Sequence, residues 1–186
     1  MTPHQGDSIL IENCYQMSDL PTALSDPGLI SFYEYWATLC GNRAMPSRKD
    51  IDPLQVPRGY LPNVMLVDVL YNPQRYRFRL VGANIIAATG ENRTGRFFDE
   101  VWWFQDHPGV QPQYEAVVKT RQPLYSVEPF TNFISKSSYD VDRLLLPLSD
   151  DGQRVDTLLV LFQFNSGPFA ARLPHSSAKL PAPATN

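Results

Sequence analysis

A chain of 186 residues with 43% apolar and 19% charged side chains has room for one globular domain, and its composition excludes a disordered or fibrous protein. A formal net charge of −3 excludes nucleic-acid binding by bulk charge. Its two cysteines, Cys14 and Cys40, form no CxxC pair, which excludes a zinc knuckle or a redox dithiol and points to reduced thiols.

The opening, MTPHQGDSIL, lacks the basic-then-apolar form of a signal peptide. The longest apolar run, Leu158 to Phe162, is too short to span a bilayer. A soluble cytoplasmic protein with no membrane contact is expected. Residues 1–25 read as a loosely attached arm with one apolar patch at Ile9, Leu10 and Ile11. A helix follows over 27–40. Asp26 can cap it, Pro27 occupies the first position, where its missing N–H costs nothing, and Gly41 supplies the residue that ends it. Leu29, Phe32, Tyr33, Trp36, Leu39 and Cys40 share one apolar face, with Ile30 and Tyr35 off it.

Asp52-Pro53-Leu54-Gln55 has the form of a capping box opening a short helical turn. Val64–Leu70 and Tyr76–Val81 read as a hairpin about the turn Tyr71-Asn72-Pro73-Gln74. In its second strand Tyr76, Phe78 and Leu80 alternate with Arg77 and Arg79, a half-buried pattern whose basic side, with Arg75, is a solvated face. Residues 82–110 hold short helical pieces broken by glycines. A helix over 111–120 puts Tyr114, Val117 and Val118 on one face, and Leu124–Glu128 is a strand. Tyr139–Leu148 and Asp156–Phe164 form a final hairpin about Ser149-Asp150-Asp151-Gly152, whose Asp-Gly tolerates the positive φ of a tight turn. The stretch from Ser166 is Pro/Ala/Ser-rich and reads as a disordered tail, 166–186.

The order is helix, two strands, short helices, three strands. The stretch FRLVGANIIAATGENRTGRFFDE, with Asn84, Gly90 and Gly95, resembles the signature of PAS domains, and LLLPLSDDGQRVDTLLVLF resembles their closing hairpin. More narrowly, YWATLCGNRAMPSRKDIDPLQ, LPNVMLVDV, YRFRLVGANI, TGRFFDE and LLLPLSDDGQRVD, in that order, resemble the fifth PAS subfamily. Its members are small standalone bacterial proteins long described only as a domain of unknown function. The resemblance implies an α+β fold over 26–165. It would hold a five-stranded antiparallel sheet, short helices between strands 2 and 3, and a flanking helix at the N-terminus.

Function must be argued from the site rather than the fold. A PAS sheet curves around its helices and can enclose a pocket. Phe78, Leu80, Ile85, Phe97, Phe98, Trp103, Val118, Tyr125, Leu146 and Phe162 are the candidate lining, with Trp102 and Phe104 as further aromatics; the alternative is that these rings fill the core. Flavin photochemistry in PAS domains uses a cysteine in a GRNCRFLQ-like stretch, whereas GRFFDEVW here has none, which disfavours a flavin–thiol cofactor. Haem is disfavoured because His107, the histidine in this region, reads as a surface-loop residue; His4 and His175 lie in the tails. There is no P-loop, GxSxG or HExxH motif, and Gly90-Glu-Asn-Arg-Thr-Gly95 is explained as turns. Asp50 and Asp52 read as loop and cap residues rather than a catalytic pair, and Arg43, Arg48 and Lys49 as partners of local acids, so no enzyme is expected.

Two functions stay open. One is a sensor that binds a small apolar ligand and acts in trans, since no kinase, cyclase or DNA-binding segment follows. The other is a ligand-free interaction module. Either implies a homodimer or a partner signalling protein, with Ile30, Tyr33, Tyr35 and Trp36 on the flanking helix as the contact surface or as a cover for the sheet. No nucleic-acid partner is expected.

Overall fold

The computed structural model describes residues 14–16, 20–57, 59–101, 104, 107–131 and 138–165. The tail 166–186, Ile9–Ile11, Trp102 and Trp103 lie outside the described residues. Strand β1 (Cys14–Gln16) and helix α1 (Leu20–Ala23) belong to the stretch expected as a loose arm. These parts are integrated instead: β1 pairs antiparallel with β4 (Leu124–Thr131), and Leu20 and Leu24 are buried among core residues.

Helix α2 (Pro27–Cys40) has the expected bounds. Asp26 Oδ1 accepts from the N–H of Gly28 at 2.8 Å and Leu29 at 3.0 Å, and Gly41 closes the helix at φ 54°. Gly28 is required by packing: a Cβ there would sit 1.5 Å from the Tyr60 hydroxyl, and that ring is buried. The capping box lies one loop earlier than expected. Ser47 and Asp50 form it around the 3-10 turn Arg48–Asp50, while Asp52 heads a turn without helix, its Oδ1 accepting from Leu54 N at 2.9 Å. Arg43 pairs with Asp50 at 2.7 Å, the local charge pairing expected of that loop.

Strands β2 (Val64–Leu70) and β3 (Arg75–Val81) form the first hairpin, followed by α3 (Ala83–Thr89) and α4 (Gln111–Thr120). Strands β5 (Ser138–Leu148) and β6 (Thr157–Phe164) form the last. Their connection is a loop over 149–156 rather than a tight turn. Ser149 and Asp151 hold it together, Asp151 Oδ1 accepting from the N–H of Gln153 and Arg154, and Gly152 takes φ 73°.

The sheet runs β1-β4-β5-β6-β2-β3, antiparallel throughout. Its five long strands are the expected PAS-like sheet, and β1 is a short addition at the edge. Both faces are covered. On the outer face α2 lays Leu29, Phe32 and Trp36 over Leu144, Leu146, Leu159 and Leu161. Trp36 Nε1 donates to Pro147 O at 3.0 Å, satisfying a buried N–H. Each such large apolar side chain contributes roughly 1.5–3 kcal/mol by leaving water. On the inner face α4 and the connection between α3 and α4 cover Met65, Val67, Phe78, Leu145 and Val160.

A bulge between Leu66 and Val67 decides which β3 residues face inward. Val67 pairs with Phe78 and Leu66 with Leu80, so Arg79 is the extra residue and the parity reverses beyond it. Leu80 therefore faces outward, 44% exposed, and Val81 takes the inward position. Arg77 and Arg79 both reach Asp68, at 2.8 and 3.1 Å, on the solvated side expected for them.

Candidate functional site

The inner face is filled at one end and open at the other. Phe98 occupies the filled end, its ring centroid 4.1 Å from Phe104, 4.7 Å from Phe78 and 5.0 Å from Tyr114. Beyond this cluster lies a cavity of about 70 Å³, partly open to solvent. That volume admits several waters, each needing roughly 10–15 Å³ by this measure. The sheet supplies Met65, Phe78, Val81, Val141 and Phe162, and α3 supplies Ile85 and Thr89. The connection adds Arg93, Phe104, His107 and Val110, and α4 adds Tyr114. Strand β4 contributes its far half, including Glu128 and Phe130.

Besides Thr89, Arg93 and His107, one group of linked polar side chains enters this wall from the sheet and α4. Arg143 of β5, buried to 4% exposure, lies on the inward register between Val141 and Leu145. Its Nη2 donates to Gln113 Oε1 at 2.8 Å and stands 3.7 Å from Glu128 Oε1. Gln113 in turn donates to Glu128 Oε1 at 2.6 Å. Burial pushes the Tyr114 hydroxyl above its ordinary range, with the adjacent Arg143 guanidinium opposing. Arg93 is also buried, which lowers its pKa; its pairing with Glu91 at 3.4 Å opposes that shift. Glu91 also pairs with Arg96.

Of the residues expected in the lining, Phe78, Ile85 and Phe162 lie on the cavity wall. Phe98 and Val118 belong to the packed inner core beside it. Phe97 lies at the β3 edge, half-buried, with the Arg75 guanidinium 3.7 Å above its ring. Leu80, turned by the bulge, is on the outer side. Tyr125 and Leu146 also belong to the outer face, packed with the α2 cluster. Trp103 falls outside the described residues. His107, read as a surface-loop residue, is half-buried on the cavity wall. On the flanking helix, Tyr35 and Trp36 are buried against this chain's own sheet and loop, which corrects their place on an open contact surface. Ile30 and Tyr33 remain half-buried.

Arg143, Glu128 and Arg93 were missed. The signal was present for Arg143: a charged residue shares strand register with Val141 and Leu145. It was masked because Asp142, the neighbour on the opposite register, is polar too. Among the described residues no group of His, Cys, Asp or Glu is arranged to hold a metal, and no helix is long and apolar enough to cross a membrane.

Five long antiparallel strands, with the helices that follow the second of them crossing one face of the sheet above a cavity, define a PAS-like α+β domain. The profile of a PAS domain family, the fifth PAS family, matches residues 24–162, and the chain belongs to that family. PAS domains are generally sensory or interaction modules. No curated protein sequence matches the chain. Among solved structures, a point variant of RsLOV is similar at 14% identity and a TM-score of 0.43, covering 66% of this chain and 74% of that one. An RNA-binding light-oxygen-voltage receptor is similar at 12% identity and a TM-score of 0.42 over 55% of this chain, which spans 29% of that chain's length.

Proposed function

We propose that this chain is a PAS sensory domain that binds a small, largely apolar molecule in the inner-face cavity and signals in trans by direct protein contact. The cavity itself is the observation that carries the reading. A core that only needed to be filled would close over it, because interiors pack to the density of organic crystals. Here the aromatic cluster around Phe98 stops short, and Ile85, Val141 and Phe162 line open space. Apolar walls with a few convergent polar groups are the usual composition of a small-molecule site.

Contact in trans has a narrower surface than the whole flanking helix. With Tyr35 and Trp36 used against the sheet, the outward stripe of α2 is Ile30 and Tyr33, Tyr33 stacked on Trp36 at 6.1 Å. A homodimer or a partner protein would meet the domain there.

The test is a thermal-shift titration with short neutral apolar probes such as butanol and butanone. A ligand bound only by the folded state adds about 2.7 kcal/mol of stability at a hundredfold excess over Kd. Wild type is expected to rise in Tm. Ile85→Phe, which fills the space, is expected to fold and to show no rise. A wild type indifferent to every probe contradicts the proposal.

A further inference from the structure

We infer that the cavity takes a short-chain monocarboxylate, its carboxylate held by Arg143 and its alkyl chain against Phe78, Ile85 and Phe162. This rests on the cavity being a ligand site and names the chemistry of the ligand.

The buried guanidinium is incompletely matched. Removing an arginine from water costs several kcal/mol unless charge and hydrogen bonds replace the lost hydration. Arg143 donates to two neutral acceptors, Gln113 Oε1 and the Tyr114 hydroxyl, and among the described residues its nearest carboxylate oxygen is at 3.7 Å, beyond hydrogen-bond length. That oxygen already accepts from Gln113, and Glu128 is one-third exposed. Arg143 Nε–H is buried with no acceptor among the described residues. Ser126, directly opposite Arg143 across β4 and β5 and fully buried, has an Oγ in the same condition. Buried donors in native proteins are nearly always satisfied, and the orphaned Nε–H of Arg143 on the cavity wall marks a place where a ligand supplies the missing partner. A carboxylate fits, since its two oxygens accept in parallel from Nε and the adjacent Nη of a guanidinium.

Shape and size set the rest. A guanidinium matches the two oxygens of one carboxylate, whereas the apolar walls around it would leave the further oxygens of a phosphate unpaired. The volume of about 70 Å³ is near half of the roughly 150 Å³ apolar cavity that holds benzene. That encloses about three heavy atoms, and the opening to solvent leaves room for the remainder of a short-chain acid.

Isothermal titration of the full chain with butyrate, butyramide and inorganic phosphate tests this. Butyramide has the shape of butyrate without its charge. A charge-assisted hydrogen bond in a buried site is worth about tenfold to a hundredfold in affinity. Butyrate is expected to bind wild type at least tenfold more tightly than butyramide, with phosphate unbound, and to shift the Arg143 Nε–H resonance. In Arg143→Gln, butyrate is expected to fall to the level of butyramide. Should that variant fail to fold, the wild-type comparison and the Nε–H shift decide alone. Butyramide binding as well as butyrate, tighter binding of phosphate, or butyrate binding unchanged in folded Arg143→Gln overturns the inference. If neutral apolar probes bind while butyrate does not, this inference falls and the small-molecule reading stands. If nothing binds, both fall.

Discussion

At the scale of single residues, the polar groups of the sheet show how position sets chemistry. Asp142 and Arg143 are consecutive in β5 and face opposite sides. Asp142 is buried on the outer side, where Asn165 Nδ2 donates to it at 2.8 Å. Burial holds its carboxyl above the ordinary carboxylate range, its hydrogen bonds from Asn165 and Tyr125 oppose the shift, and Asp26 and Asp140 add to it. The folded state therefore keeps this proton to higher pH than the unfolded chain does. The resulting stability is full below the unfolded carboxylate pKa and is lost as pH rises through the folded value. Asp142→Asn, which keeps an acceptor for Asn165 and never ionises, is expected to be more stable than wild type at pH 7, with the gap closing in acid. Urea midpoints of both proteins at pH 7 and pH 4 check this; an equal gap at both pH values would show that Asp142 is not the titrating group. This carboxylate was invisible in the sequence, where an aspartate next to an arginine in a strand reads as a surface pair.

Elements were more legible than residues where local chemistry alone fixes them. Asp26, Pro27 and Gly41 specify the ends of α2 by capping, and the bounds follow. Strand parity was not legible, for two physical reasons. Leu144, Leu145 and Leu146 are all buried because both faces of β5 are covered, so no alternation marks the inward side, and Leu146 was assigned to the wrong face. In β3 the alternation was plain, but the bulge opposite Leu66 and Val67 inverts it past Arg79 and sends Leu80 out. The 149–156 connection was misjudged because Asp-Gly also serves longer loops in which Asp side chains cap backbone N–H groups. Helix α2 was expected either to cover the sheet or to make contacts, and it covers the sheet with Leu29, Phe32 and Trp36. In the proposed function the contact role falls to Ile30 and Tyr33. A double change, Ile30→Asp with Tyr33→Asp, is expected to turn a dimer into a folded monomer by light scattering. A wild type that is already monomeric, or a variant of unchanged mass, rejects that stripe as a self-association surface.

At the scale of the whole molecule, the outer layer and the inner layer do different work. The outer layer is a close cover of helix on sheet whose aromatics are fully used. The inner layer divides between the packed rings around Phe98 and the space bounded by Ile85, Val141 and Phe162. One end of that face is therefore packed, as in a filled aromatic core, and the other holds a cavity. The aromatic count could not separate them, since the cavity depends on how residues from several strands, α3, α4 and their connection pack together. Methyl NMR of the chain titrated with butanol tests the ligand-site claim most directly. Shifts confined to Met65, Val81, Ile85, Val110 and Val141 are predicted, with Leu144, Leu159 and Leu161 on the outer face unmoved. Shifts centred on the outer-face leucines, or no shifts at all, would contradict the account.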